Sequence, residues 1–145
     1  MAAKPIPEGY RSVTPYMIAS GAAKVLDFAK ETFDATEIMR MPGPNGTIGH
    51  AEFKIGDSML MISDGGEMYP PMPCSLYVYV DNVDATYQRA LKAGATSLKE
   101  PADQFYGDRS ASVKDSAGNI WGIATHVEDV SPEEMERRMK AAGNQ

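Results

Sequence analysis

His50 and Glu52 stand two residues apart in GHAEFKIGDSMLMISD, residues 49–64, a stretch that alternates apolar and polar positions as a β-strand does. An imidazole and a carboxylate on one strand face can hold a metal ion, move a proton, contact a ligand or sit in solvent. A metal site wants at least three donors, and only two of ligand type are visible here. The chemistry depends on what that face looks at, and so on the elements that position it.

Those elements come from a chain of 145 residues, long enough to bury a core without staples. Twenty acidic against fourteen basic residues give a formal charge of −6. With no Lys/Arg run, nucleic acid is excluded as the expected partner. Cys74 is the single cysteine and forms no internal disulfide, and with no histidine near it in sequence it reads as a packing residue. No apolar run reaches membrane-spanning length and the start MAAKPIPEGY lacks an apolar signal core. The expectation is a cytoplasmic protein that does not enter membranes. Ten methionines admit two readings, pliable core filling or an adaptable binding cavity.

The chain then says the same thing twice. SVTPYMI (12–18) reads as a strand and GAAKVLDFAKETF (21–33) as a helix with Ala22, Val25, Leu26, Ala29 and Phe33 on one face. TEIMRM (36–41) is a strand, and IGHAEFKI (48–55) and SMLMIS (58–63) form a hairpin around Gly56-Asp57. After the breaker-rich 64–73, CSLYVYV (74–80) is a strand, 83–94 a helix closed by Gly94, and ATSLKE (95–100) a strand. FYGDR (105–109) reads as a loop; SASVK (110–114) and IWGIATH (120–126) form the last hairpin. A tail helix opens with Ser131, Pro132 and Glu134 as cap, first helical residue and capping box, and carries Met135 and Met139 on one face. It either docks a partner or packs on its own domain. Two βαβββ units cannot each close a core alone, so an α+β fold that pairs their sheets around a shared cavity is expected.

VYVDNVDATYQRALKAGA, FYGDRSASVKDSAGNIWGIATH and the paired βαβββ plan together resemble the vicinal oxygen chelate (VOC) superfamily, which includes glyoxalase I, bleomycin-resistance proteins, fosfomycin-resistance enzymes and extradiol dioxygenases. The resemblance is closest to its PhnB-like, glyoxalase/bleomycin-resistance-like branch, where YGDR, a DPxGxxW-like turn and a THxEDV ending recur, and it spans about residues 10–130. It implies a single domain over 1–145, with modules 10–63 and 74–127, linker 64–73 and a C-terminal helix at 131–142.

In the metal-dependent members each module supplies two ligands, one from its first strand and one from its last. The resemblance carries those positions onto Thr14 and Met61, and onto Ser75 and Gly122; the spacing from first to second module is 61 residues for both pairs. None is an imidazole or carboxylate, so no metal and no cofactor is expected there. Asn119 and Ser116 stand where branch relatives often carry histidine and proline.

A two-residue turn at Gly56-Asp57 sets Glu52 opposite Met61 and His50 opposite Ser63. His50, Glu52, Lys54, Met59, Met61 and Ser63 then share one face, and Phe53, Ile55, Leu60 and Ile62 the other. The same counting puts Thr14, Tyr16 and Ile18, then Ser75, Tyr77 and Tyr79, then Ile120, Gly122, Ala124 and His126 on the cavity side. Gly122 would leave room where relatives place a carboxylate. Tyr106 and Arg109 either meet a ligand or serve structure, and His126 reads as structural. The expected ligand-binding set is Tyr16, His50, Glu52, Met59, Met61, Tyr77, Tyr79, Tyr106, Arg109 and Gly122, for a small aromatic or polyfunctional molecule. The leading expectation is a non-catalytic binding protein and homodimer. The alternative is a lyase, isomerase or antibiotic-modifying enzyme using His50 and Glu52. A third is an interaction module with a vestigial cavity.

Overall fold

A computed structural model describes residues 2–143. The first module runs β1 (Tyr16–Ala19), α1 (Ala22–Phe33), β2 (Thr36–Pro42), β3 (Ile48–Ile55) and β4 (Ser58–Asp64). The second runs β5 (Ser75–Tyr79), α2 (Val83–Lys92), β6 (Thr96–Asp103), β7 (Asp108–Lys114) and β8 (Ile120–His126), and α3 (Pro132–Gly143) follows. Each module is one four-stranded sheet, ordered β1-β4-β3-β2 and β5-β8-β7-β6, called sheets A and B here. The first strand of each lies parallel to the last and the other pairings are antiparallel. The α+β fold of two βαβββ modules with a C-terminal helix is the observed one.

The hairpin register is the one the Gly56-Asp57 turn dictates: Ile55 faces Ser58, Lys54 faces Met59 and Glu52 faces Met61. The internal repeat shows in the parallel pairs, Tyr16 with Met61 and Tyr77 with Gly122, again 61 residues apart.

Some boundaries move. β1 begins at Tyr16 rather than residue 12: Pro15 has no N–H for a ladder, and only its carbonyl joins, accepting from Met61 N–H at 2.9 Å. Val13 and Thr14 therefore precede the strand, and Val13 is 84% exposed. β7 starts at Asp108, which takes Asp108 and Arg109 out of the expected loop. The 64–73 linker is tied down, with Gly65, Gly66 and Met72 N–H groups donating to the carbonyls of Ala19, Tyr69 and Ile18.

The helices lie between the sheets. α1 and α2 pack on each other, and Phe28 and Phe33 of α1 meet Trp121 of β8 at ring distances of 5.7 and 5.4 Å. Leu26, Phe53, Ile62, Val113, Trp121 and Ile123 belong to one continuous buried core fed by both modules. Gly21, the N-cap of α1, has no side chain to cap the helix, so Asp64 does it from the end of β4. Its carboxylate accepts from Gly21, Ala22 and Ile48 N–H; partial burial opposes its ionisation, yet these donors hold the carboxyl below its usual range. In the second module the buried Asp115 accepts from Ala117 N–H, Asn119 N–H, Asn119 Nδ2 and Trp121 Nε1. Asn119 in turn accepts from Cys74 N–H at 2.9 Å. The asparagine at this turn is thus part of a satisfied buried knot.

Of the methionines, Met17 is the one in the buried core among the described residues, so core filling does not explain the others.

Candidate functional site

With the helices sandwiched, the face of each sheet that turns away from them turns away from the other sheet as well. This corrects one expectation: the residues assigned to a single cavity lie on two separate open faces. The modules do share a cavity, of about 620 Å³ on their seam, lined by Pro15, Leu60, Leu76, Val78 and Arg89 among others. Tyr77 and Tyr79 border it, whereas Tyr16, His50, Glu52, Met59 and Met61 do not.

On sheet A a row of paired residues crosses all four strands: Tyr16, Met61, Glu52, Met39. Residues paired directly across strands share a face, so Met41, opposite His50, and Met59, opposite Lys54, belong here too. Met72 joins through its bridge to Ile18. Five methionines therefore line this face, with no signal beyond strand parity to find Met39 and Met41.

Glu52 accepts from the Tyr10 hydroxyl and, at 2.9 Å, from His50 Nε2. His50 Nδ1 meets the Tyr16 hydroxyl at 3.0 Å. An ionised carboxylate only accepts, so His50 Nε2 donates to Glu52, while the Tyr16 hydroxyl, which can give or take a bond, meets Nδ1. The bonds from Tyr10 and His50 hold the Glu52 carboxyl below its usual range, and burial together with Glu52 pushes the Tyr10 phenol up to about 12. Both ring nitrogens of His50 are engaged. A substrate reaches a ring nitrogen only by displacing Tyr16 or Glu52, so the resting arrangement is a braced polar patch. Tyr10 lay outside the sequence assignment, since the strand alternation does not reach it.

On sheet B the corresponding row is Tyr77, Gly122, Ser112, Lys99. A cavity of about 330 Å³ covers it, lined also by Ser75, Gln104, Tyr106, Ser110 and Ile120. The room at Gly122 is not empty: a Cβ there would stand 2.6 Å from Tyr77 Cδ1, so the Tyr77 ring fills it. Tyr77 and Tyr79 lie edge to face at 5.3 Å and both hydroxyls donate to Asp108 Oδ2, at 2.8 and 2.9 Å. Burial first, and then Asp108, pushes the Tyr77 phenol up.

Asp108 also holds His126, with Nδ1 at 2.8 Å, while His126 Nε2 meets Asp129 at 2.7 Å. Two carboxylate partners match a ring whose nitrogens both donate, and Asp108 and then Asp129 raise the His126 pKa, favouring the imidazolium form. Burial opposes the charge on Asp108, but the bonds from His126, Tyr77 and Tyr79 hold its carboxyl below the usual range. Reading FYGDR as loop hides Asp108, which lies two places before Ser110 on the same face of β7.

Arg109 is a correction. One place along β7 from Asp108, it points to the helix face, where Nε and Nη2 grip Asp84 at 2.8 and 2.9 Å and Nη1 reaches Asp103 at 3.2 Å. It belongs to α2 docking and not to the tyrosine face. Gly107 of the same motif has φ +101° and no space for a Cβ beside the Glu128 carbonyl; its own carbonyl accepts from Val127 and Glu128 N–H. The tail packs on its own domain through Arg138, which pairs with Glu128 and donates to the Phe105 carbonyl. Met139 stays 55% exposed. Cys74, whose thiol burial and then Asp115 push up, sits in packing.

The positions carried over for a metal do not fit one. Thr14, Met61, Ser75 and Gly122 offer two hydroxyls, a thioether and no fourth side chain, against a divalent ion's demand for imidazole or carboxylate.

Two repeated βαβββ units, each a four-stranded sheet with one open face, define the class of fold. The sequence model of the Glyoxalase/Bleomycin resistance protein/Dioxygenase superfamily matches residues 14–123, and the chain belongs to this superfamily. The uncharacterized protein Mb0911c of Mycobacterium bovis is 34% identical over 144 residues, covering 92% of this chain and 95% of its own. Among solved structures, TnmS3, an antibiotic binding protein from Streptomyces sp. CB03234, superposes with a TM-score of 0.62 at 25% identity over 87% of this chain and 98% of that one. TioX from Micromonospora sp. ML1 gives 0.64 at 24% identity over 80% and 100%.

Proposed function

We propose that this protein is a PhnB-like, glyoxalase/bleomycin-resistance-like binder of a small aromatic or polyfunctional molecule, acting without the superfamily's usual metal site. The observation that carries the reading is the placement of the apolar side chains. The core is complete behind the sheets, yet Tyr16, Tyr77 and Tyr79 stand about half exposed on the open faces, Tyr16 beside the methionine-lined wall of sheet A. Polarizable thioethers and phenol rings suit a flat molecule of variable shape. An antibiotic-binding relative of the same fold is consistent with this.

Each open face is half a cavity, and the functional unit is a homodimer. β1 and β5 are edge strands, and their exposed tyrosines, Tyr16 and Tyr77, are equivalent in the repeat. Setting β1 of one copy, with the Met72 segment that already bridges Ile18, beside β5 of the other places sheet A of one against sheet B of its partner. Isothermal titration with a planar aromatic probe tests the reading. Saturable binding that is weakened by Tyr16→Ala and Tyr77→Ala is expected; binding indifferent to both would contradict it.

A second reading is an enzyme, a lyase, isomerase or antibiotic-modifying catalyst. The hydrogen-bond chain Tyr16–His50–Glu52–Tyr10 favours it, because such a chain can pass a proton. It predicts turnover lost in His50→Ala with binding retained.

A further inference from the structure

The two equivalent rows differ in charge. Sheet A reads Tyr16, Met61, Glu52, Met39; sheet B reads Tyr77, Gly122, Ser112, Lys99. A carboxylate stands on one face where a hydroxyl stands on the other, and a methionine where a lysine stands. We propose that Lys99 and Ser112 form the polar end of the ligand site, and that the ligand is an aromatic molecule bearing one carboxylate-type oxyanion. This rests on the small-molecule reading above and adds the charge and direction of the bound molecule.

The cavity over this row has Lys99 as its one cationic lining residue and no carboxylate among them. Lys99 makes no ion pair among the described residues, whereas Arg109 is turned away and spent on Asp84 and Asp103. Hydroxyls of Ser75, Ser110 and Ser112 and the Gln104 amide supply further donors. β6 breaks register on both sides of Lys99, between Ser97 and Lys99 and again between Lys99 and Ala102, and such irregularities re-aim a side chain.

Distance fits the chemistry. Adjacent strands lie about 4.8 Å apart, so the Lys99 backbone is about 10 Å from Gly122, over which the Tyr77 ring lies. The lysine stem spans roughly half of that. A ring stacked beside Tyr77 would present an oxyanion to Lys99 if the two are joined directly or through a short link.

The test uses the full chain and three probes: 2-naphthoate, 2-naphthylmethanol and acetate. Calorimetry should show naphthoate binding about tenfold or more tighter than the alcohol, the size of a charge-assisted bond. Acetate alone should not bind. Lys99→Met, which installs the sheet A residue, should erase the preference, while Lys99→Arg keeps it. Amide shifts in the unmodified protein should place naphthoate at Lys99, Ser112 and Gly122, which holds whether or not a variant folds. Equal binding of the two aromatics, or a preference that survives Lys99→Met, overturns the assignment of Lys99 while the small-molecule reading stands. No binding of either aromatic, with Tyr77→Ala equally silent, overturns both.

Discussion

The Tyr77 ring lies across Gly122, so close that a methyl group on that glycine would stand 2.6 Å from Tyr77 Cδ1. The contact point is near the root of the ring, and the hydroxyl end is held by Asp108, so the side chain cannot swing aside freely. Gly122→Ala should therefore destabilise the protein by about 1–3 kcal/mol, as overpacking does. Chemical denaturation measures it. Tyr77→Ala made together with Gly122→Ala should remove most of the overpacking penalty, because the clash partner is gone.

The Asp115 knot gives a second expectation. Asn119 is 2% exposed and joins Asp115 to the Cys74 N–H. Asn119→Ala strips one donor from a buried carboxylate and the acceptor from a backbone N–H, so a loss of roughly 1–3 kcal/mol is expected. Asn119→Asp should also destabilise, since it sets a second carboxylate beside Asp115.

His126 predicts a pH dependence with a definite sign. Its folded pKa is raised, so its contribution is fully present below the unfolded value near 6.5 and is lost as pH rises through the folded value. Asp108 has a lowered pKa, so its contribution is present above about 3.8 and is lost as pH falls through the folded value. Thermal melting should show a decline on the alkaline side that His126→Gln removes. Asp129→Asn should shift that decline to lower pH, because one of the two anionic partners is gone.

Arg109 should behave as a scaffold residue. Arg109→Ala should lower the melting temperature slightly and loosen α2 against β7, with no change in the affinity for an aromatic probe. A large affinity loss at unchanged stability would mean that the side chain turns to the ligand.

The parts of the fold carried by local chemistry were readable from the residues. A two-residue turn at Gly56-Asp57 leaves one register for the hairpin, and that register sets Glu52 opposite Met61. The 61-residue offset is equally legible from Thr14 to Ser75 and from Met61 to Gly122, and the structure keeps it in the pairs Tyr16 with Met61 and Tyr77 with Gly122. What strand parity does not encode is where a face looks. That depends on Phe28 and Phe33 of one module stacking on Trp121 of the other, a contact between residues about ninety positions apart. Arg109 and Asp108 show how one misplaced boundary matters. Starting β7 at residue 110 left Asp108 unassigned and allowed Arg109 onto the wrong face, since one residue along a strand reverses the side. Val13 and Thr14 failed for a simpler reason, the missing N–H of Pro15.

The central claim is that two copies hold a small organic molecule between open faces, with no metal at the position the superfamily uses. Native mass spectrometry of the full chain purified from cells reads assembly, metal and ligand in one spectrum. The expected result is a dimer whose added mass is organic, lost in Tyr16→Ala and Tyr77→Ala, with far less than one divalent ion per chain. A monomer carrying one metal per chain, with the metal lost in His50→Ala or Glu52→Ala, would contradict it.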